Sequence, residues 1–226
     1  AAVVARGLRA EGIVIREGVK VTAVRPGIHV IEGYHSVNCI VVEGLTGLIV
    51  IETGTRFGHG RDFRKVIRGF TNKPIKALVY SHHHYIAGAA GLLDAEAPAD
   101  VLVLAPPLTE HLDATTSNLL GPMQLRRSGI QFGAYLPDKG PDARLGRGDK
   151  YFDDPQLNAL APLPVTHPVA DGEAITVDGV VMRFHHIVGD TRDSLVIDFP
   201  ELDAVVANSA LGPLAYPLYT LRGDFF

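Results

Sequence analysis

Three consecutive histidines, His82, His83 and His84, follow Ser81 at the end of the apolar run Ala77-Leu78-Val79-Tyr80. After Tyr85 the chain passes into Ile86-Ala87-Gly88-Ala89-Ala90, small residues that can open a helix. Side chains alternate along an extended backbone, so His82 and His84 leave the strand end on one side and His83 on the other. Neutral imidazole is the commonest metal ligand, and two imidazoles from one rigid segment supply half of a tetrahedral zinc site. Three solvated loop histidines are the plain alternative. Two other strand ends carry polar groups of the same kind. One is His185-His186-Ile187-Val188-Gly189-Asp190-Thr191-Arg192-Asp193-Ser194, and the other is Asn208-Ser209 after Val205-Val206-Ala207. Ligands at successive strand ends let a rigid sheet fix the geometry a metal requires.

The elements that would hold these ends can be read from periodicity. Residues 28–31, 38–42 and 47–51 are β-branched runs separated by Gly33 and by Glu43-Gly44, the pattern of short strands. From Phe57 to Phe70 the period changes to that of an amphipathic helix, with Phe63, Val66, Ile67 and Phe70 on one face. Asn72-Lys73-Pro74 stops it, a strand follows to Tyr80, and a small-residue helix is expected over 87–95. A strand over 100–104 leads to a helix opened by Pro106-Pro107, and strands return at 174–177, 180–185, 194–199 and 204–207. Strands alternating with helices indicate an α/β layered fold. Between residues 119 and 168 the regular pattern fails among repeated prolines and glycines. Such a long excursion is usually functional or meets a partner chain. With no low-complexity linker, one domain over 1–226 is expected, with 119–168 as its insertion.

Composition narrows the function classes. Hydrophobic residues make up 46% and charged residues 20%, the balance of a globular chain rather than a disordered one. Lys and Arg number 21 against 25 Asp and Glu, a net charge of −4 with no basic stripe. Nucleic acid is therefore not an expected partner. The lone Cys39 lies in the apolar run 37–42, so an internal disulfide is excluded and a buried thiol is expected. No apolar segment reaches the length of a membrane span. The compartment stays open between periplasmic, secreted and cytoplasmic. The apolar ending Phe225-Phe226 suggests a native chain that continues.

Taken in order, these residues resemble the metallo-β-lactamase superfamily, and within it the alkylsulfatase-like branch. Tyr80-Ser81-His82-His83-His84 is similar to the first half of the superfamily's His-x-His-x-Asp-His ligand signature. Residues 121–129 and 133–137 look like the branch's characteristic insertion, Phe199-Pro200-Glu201-Leu202 like the run between its later ligands, and residues 218–223 like its sulfate-site segment. The resemblance implies a four-layer αββα sandwich, two zinc ions, and hydrolysis of alkyl sulfate esters by zinc-activated water. It makes His82, His84 and Asp190 metal ligands and places Arg222 on the sulfate. A turn aspartate beside Gly189 and a surface arginine are the alternatives at the last two positions. The chain also departs from the pattern. Where Asp-His should follow Tyr85 it has Ile86-Ala87, which reads as a two-residue omission. Asn208-Ser209 replace an expected carboxylate, Pro217 stands where asparagine is usual, and the last histidine ligand would fall beyond Phe226. One metal, or none, is the consequence if the depletion is real. Two function classes therefore stand side by side: a zinc hydrolase of a small-molecule ester (alkyl sulfate first, another ester or a lactam second), and a non-catalytic binding or assembly protein on the same fold. A homodimer through residues 126–137 is a further expectation.

Overall fold

The computed structural model describes residues 20–33, 37–93, 100–114, 121–131, 135–137, 142, 154–189 and 191–207. Two sheets face each other. The larger has seven strands in sequential order: β1 (Lys20–Arg25), β2 (Ile28–Glu32), β3 (Cys39–Glu43), β4 (Leu48–Ile51), β5 (Ile75–Val79), β6 (Leu102–Ala105) and β7 (His167–Pro168). The first four pair antiparallel through hairpins, and β4 to β7 pair parallel. A parallel neighbour needs a crossover, which is why helices enter the chain only after β4. The smaller sheet runs β11 (Ala204–Val206), β10 (Ser194–Phe199), β9 (Val180–Ile187), β8 (Ala174–Val177) and is antiparallel throughout.

Strands buried on both faces read as continuous apolar runs, and β4 (Leu-Ile-Val-Ile) is buried at all four positions. Its side chains alternate between two cores. Leu48 and Val50 join Val41, Leu78, Phe63 and Ile67 beneath the helices. Ile49 and Ile51 join Val79, Met182, Phe184, Ile197 and Phe199 between the sheets. The expected sandwich of two sheets with flanking helices is thus present, and Phe63, Ile67, Ala89, Leu92 and Leu93 of the helices pack on the seven-stranded sheet.

Helix α1 (Phe57–Arg68) buries Phe63 and Ile67 and turns Arg61 and Lys65 to solvent. Each fully buried apolar side chain of that size contributes about 1.5–3 kcal/mol. The helix ends two residues short of the expected Phe70, which is exposed and packs on His29 at 4.8 Å between ring centroids. Helix α2 (Ala89–Leu93) crosses α1 closely, because a Cβ at Gly60 would run into the Gly88 carbonyl and one at Gly91 into the Phe57 carbonyl. Helix α3 (Thr109–Ala114) follows β6. The excursion after it is not wholly irregular, for Gly121–Gln131 forms α4. Gly121-Pro122 supplies a favourable helix start, which the count of prolines and glycines obscured. The returning limb lies along the body. Phe57 and Gly58 donate backbone N–H groups to Ala159 and Leu157, and Ala161 exchanges bonds with Ala87 and Ala90.

Candidate functional site

Strand β5 delivers the histidines to the end of the sandwich where the parallel strands finish. His82 is extended at φ −172°, but His83–Tyr85 close into a single 3-10 turn. The alternation expected of an extended segment therefore stops at His82, and all three imidazoles stay within one cluster. Ring centroids of His82 and His84 lie 5.1 Å apart, and those of His83 and His84 4.3 Å apart. Ser81 Oγ meets Nδ1 of His82 at 2.9 Å, so a metal taken by His82 would bind through Nε2.

Two buried carboxylates hold the histidine segment, one at Ser81 and one at His83. Glu52 follows β4 directly, is 1% exposed and has φ +66°. A buried residue other than glycine in that region stores strain, a feature that clusters at functional sites. Glu52 Oε1 accepts the Ser81 N–H at 3.2 Å, while the N–H and hydroxyl of neighbouring Thr53 both donate to the Tyr85 carbonyl. The second carboxylate is Asp193, 1% exposed, in the turn before β10. Its Oδ2 accepts from the His83 N–H at 2.8 Å and Thr109 Oγ1 at 3.0 Å. Its Oδ1 accepts from Thr191 Oγ1 at 2.6 Å and faces His83 Nδ1 at 3.0 Å. Burial alone would raise the Asp193 pKa; the hydrogen bond and charge of His83, the Thr191 hydroxyl and the charge of His82 bring it down to about 2. An ionised carboxylate only accepts, so His83 Nδ1 carries the proton of that bond.

Of the four residues expected to bind metal or substrate, the structure brings His82 and His84 together; Asp190 and Arg222 lie outside the described residues. The same is true of Asn208, Ser209 and Pro217. Tyr85 passes directly into Ile86, which caps the 3-10 turn. Ile86 and Ala87, in place of the signature's Asp-His, are 2% and 7% exposed, and Ile86 joins the core beneath the helices. Neither side chain can ligate, so a second ion finds no ligand there. Among the described residues there is no group of three or more His, Cys, Asp or Glu able to hold a metal. Among the described residues the imidazoles of His82 and His84 are therefore the two expected ligands that stand side by side.

Glu52, Thr109 and Asp193 carry no role that the sequence pattern alone assigns. The available signal was a charged or polar residue abutting a buried strand, as at Ile51-Glu52 and Asp193-Ser194-Leu195. Cys39 is buried as expected, and burial, with Glu52 nearby, raises its thiol pKa far above the ordinary range.

A groove of about 430 Å³ opens between the two sheets at the edge formed by β1 and β11. Val30, Ile40, Val42 and Phe199 line it, together with Glu52 and Tyr85. The ring of Tyr85 lies 4.9 Å from that of His82, edge to face.

Known proteins share both the sequence and the fold. The family model described as the metallo-beta-lactamase superfamily matches residues 33–225. A linear primary-alkylsulfatase of a Pseudomonas strain is 29% identical over 82% of this chain and 36% of its own length. An (R)-specific secondary-alkylsulfatase of a Pseudomonas species is 31% identical over 88% of this chain and 31% of its own. The chain therefore spans about a third of the curated relatives it matches. Among solved structures, a double mutant of the sec-alkyl sulfatase PisA1 superposes with a TM-score of 0.71 at 25% identity, over 83% of this chain and 30% of that one. A metallo-β-lactamase of Cronobacter sakazakii, 18% identical with a TM-score of 0.54 over 90% of this chain and 67% of its own, shares the fold.

Proposed function

This chain belongs to the metallo-beta-lactamase superfamily, and from that premise we propose a sulfate-ester hydrolase of the alkylsulfatase-like branch that works with one metal ion rather than two. One observation carries the reading. His82 and His84 are brought together at the end of β5, while the place of the second ion's Asp-His pair is taken by Ile86 and Ala87, both buried. His82 through Nε2, His84 and Asp190 would hold zinc, which when bound polarises an ester oxygen and acidifies water. Around it the chain's own groups orient the substrate. The groove lined by Val30, Ile40, Val42 and Phe199 accepts an apolar chain and leads it toward Tyr85. Arg222 would take the sulfate, because a planar guanidinium matches two sulfate oxygens at once. The substrate class is supported by the alkylsulfatases to which the chain is similar. The chain is read as one domain, with 119–168 as an insertion that meets a second copy.

A second reading, a binding or assembly protein without turnover, is favoured by the lack of a third ligand among the described residues. Zinc analysis after dialysis, combined with inorganic sulfate release from a medium-chain alkyl sulfate, separates the two. One zinc per chain with sulfate release, both lost in His82→Ala/His84→Ala, is the expected result. A zinc-loaded protein that releases no sulfate would transfer the assignment to the binding reading. Turnover of another ester or a lactam in its place would keep the hydrolase and change the substrate. Arg222→Lys is expected to impair sulfate release even though it keeps the charge.

A further inference from the structure

Asp193 takes hydrogen bonds from three separate parts of the chain. They are the histidine turn through His83, the first residue of α3 through Thr109, and its own turn through Thr191. A buried carboxylate with four donors around it has a single orientation, and the donors are fixed by it in return. Two of the four come from His83, one from its backbone N–H and one from its ring. Holding a residue at both points sets the path of the chain and the plane of the imidazole together. That imidazole is tilted 54° against His84, and the residue lies between the two expected ligands in the chain. Neither His82 nor His84 can move far unless residue 83 moves with it. Asp193 itself has no oxygen facing the open side of the cluster, since Oδ1 and Oδ2 each receive two donors. The arrangement suits a support, not a ligand.

We propose that Asp193 is the positioning residue of the histidine pair, presetting the imidazoles of His82 and His84 for a metal ion by holding His83 at two points. The inference rests on the reading of His82 and His84 as ligands. Removing a group that hydrogen-bonds a ligating histidine directly weakens metal binding roughly 10- to 100-fold, and Asp193 acts one residue further off, through His83. The test uses zinc as the probe, with the dissociation constant measured by competition against a chromophoric chelator. Wild-type, Asp193→Asn, His83→Ala and His82→Ala/His84→Ala proteins are compared, each checked for folding in the metal-free state by circular dichroism. Asp193→Asn is expected to bind zinc about 10-fold more weakly while still folded, the lower end of that range. The bond to Asp193 should protect the Nδ1 proton of His83 from exchange, so an NMR signal for it is expected in metal-free wild type and is expected to vanish in Asp193→Asn. His83→Ala, which keeps the backbone bond and loses the ring, is expected to fall between that variant and wild type. Wild-type zinc affinity in a folded Asp193→Asn protein would overturn the proposal. If that variant does not fold, His83→Ala decides, and wild-type affinity there overturns it equally. Zinc retained by the double histidine variant would instead remove the ligand reading itself, and no zinc on wild type would remove both.

Discussion

Two aspartates, Asp178 and Asp193, sit at opposite ends of the sandwich and do similar hydrogen-bonding work for different ends. Leu48 pairs with Ile75 and Ile51 with Val79, so the parallel strands start near Asp178 and finish near Asp193. Asp178 occupies the two-residue turn Asp178-Gly179 between β8 and β9, with φ +48° and +83°, the positive angles a tight hairpin demands. It accepts from the N–H groups of Thr46 and Gly47 and from the Thr46 hydroxyl, and its backbone carbonyl takes the Leu45 N–H. The result ties the β3–β4 turn of one sheet to a hairpin of the other. The backbone bond from Thr46 chiefly holds its carboxyl below the usual range, with further help from Gly47 and Lys76. Asp193 also gathers threonine and backbone donors, but it is buried and its remaining donor is a histidine ring. The same chemistry closes the fold at one end and orders a site at the other. What differs is whether the donors belong to a plain turn or to residues beside a candidate ligand pair.

Substitutions at the two ends should separate these roles. The largest loss is expected at Gly88, behind the histidine turn, where a Cβ would strike the Thr53 carbonyl and come within 3.0 Å of that of Arg56. Gly88→Ala should cost about 3 kcal/mol in urea unfolding, because backbone on two sides cannot yield. A fully stable Gly88→Ala protein would mean that the site end is looser than described.

Acid comes next. The Asp193 carboxyl is depressed from its ordinary 3.8 to about 2, so its contribution is present above pH 4 and disappears as the pH falls through 2. That contribution is about 2 kcal/mol. Stability measured between pH 5 and pH 2 should fall less steeply in Asp193→Asn than in wild type; parallel curves would show that the carboxylate is not the group being titrated. Asp178→Asn should flatten the same limb to a smaller extent.

Gly179→Ala should cost about 1–2 kcal/mol, since alanine disfavours φ +83° and its Cβ would press on Leu45. The smallest effect belongs to Asp178→Ala. It should lower the melting temperature through loss of the clasp yet leave zinc affinity unchanged, because no atom of the clasp touches the histidine turn. A change in zinc affinity there would break the division between the two ends.

Apart from β1 and β7, the strands were legible, as was α1, because each depends on neighbours within a few residues. β-branched runs bounded by Gly33 and Glu43-Gly44 announced β2 to β4, and the 3.6-residue spacing of Phe63 and Ile67 announced the helix. Phe70 was misplaced because periodicity does not register where a helix stops, and α4 was hidden by the prolines and glycines around it. At the site, the histidine triplet and the absence of Asp-His after Tyr85 stood in the chain itself. The route of the triplet did not, since the 3-10 turn from His83 follows from anchoring by Thr53 and Asp193.

By itself, then, the sequence determined that a pair of imidazoles ends a buried strand and that two apolar residues follow where ligands would be expected. Both facts are local, written in consecutive side chains. Tertiary structure alone decided that Asp193 grips His83 across 110 residues and that Thr109 joins them across 84. No periodicity links positions so far apart. Their meeting depends on the sheets stacking on a shared apolar core, which brings the turn before β10 against the end of β5 through the Leu195 N–H and the Ser81 carbonyl.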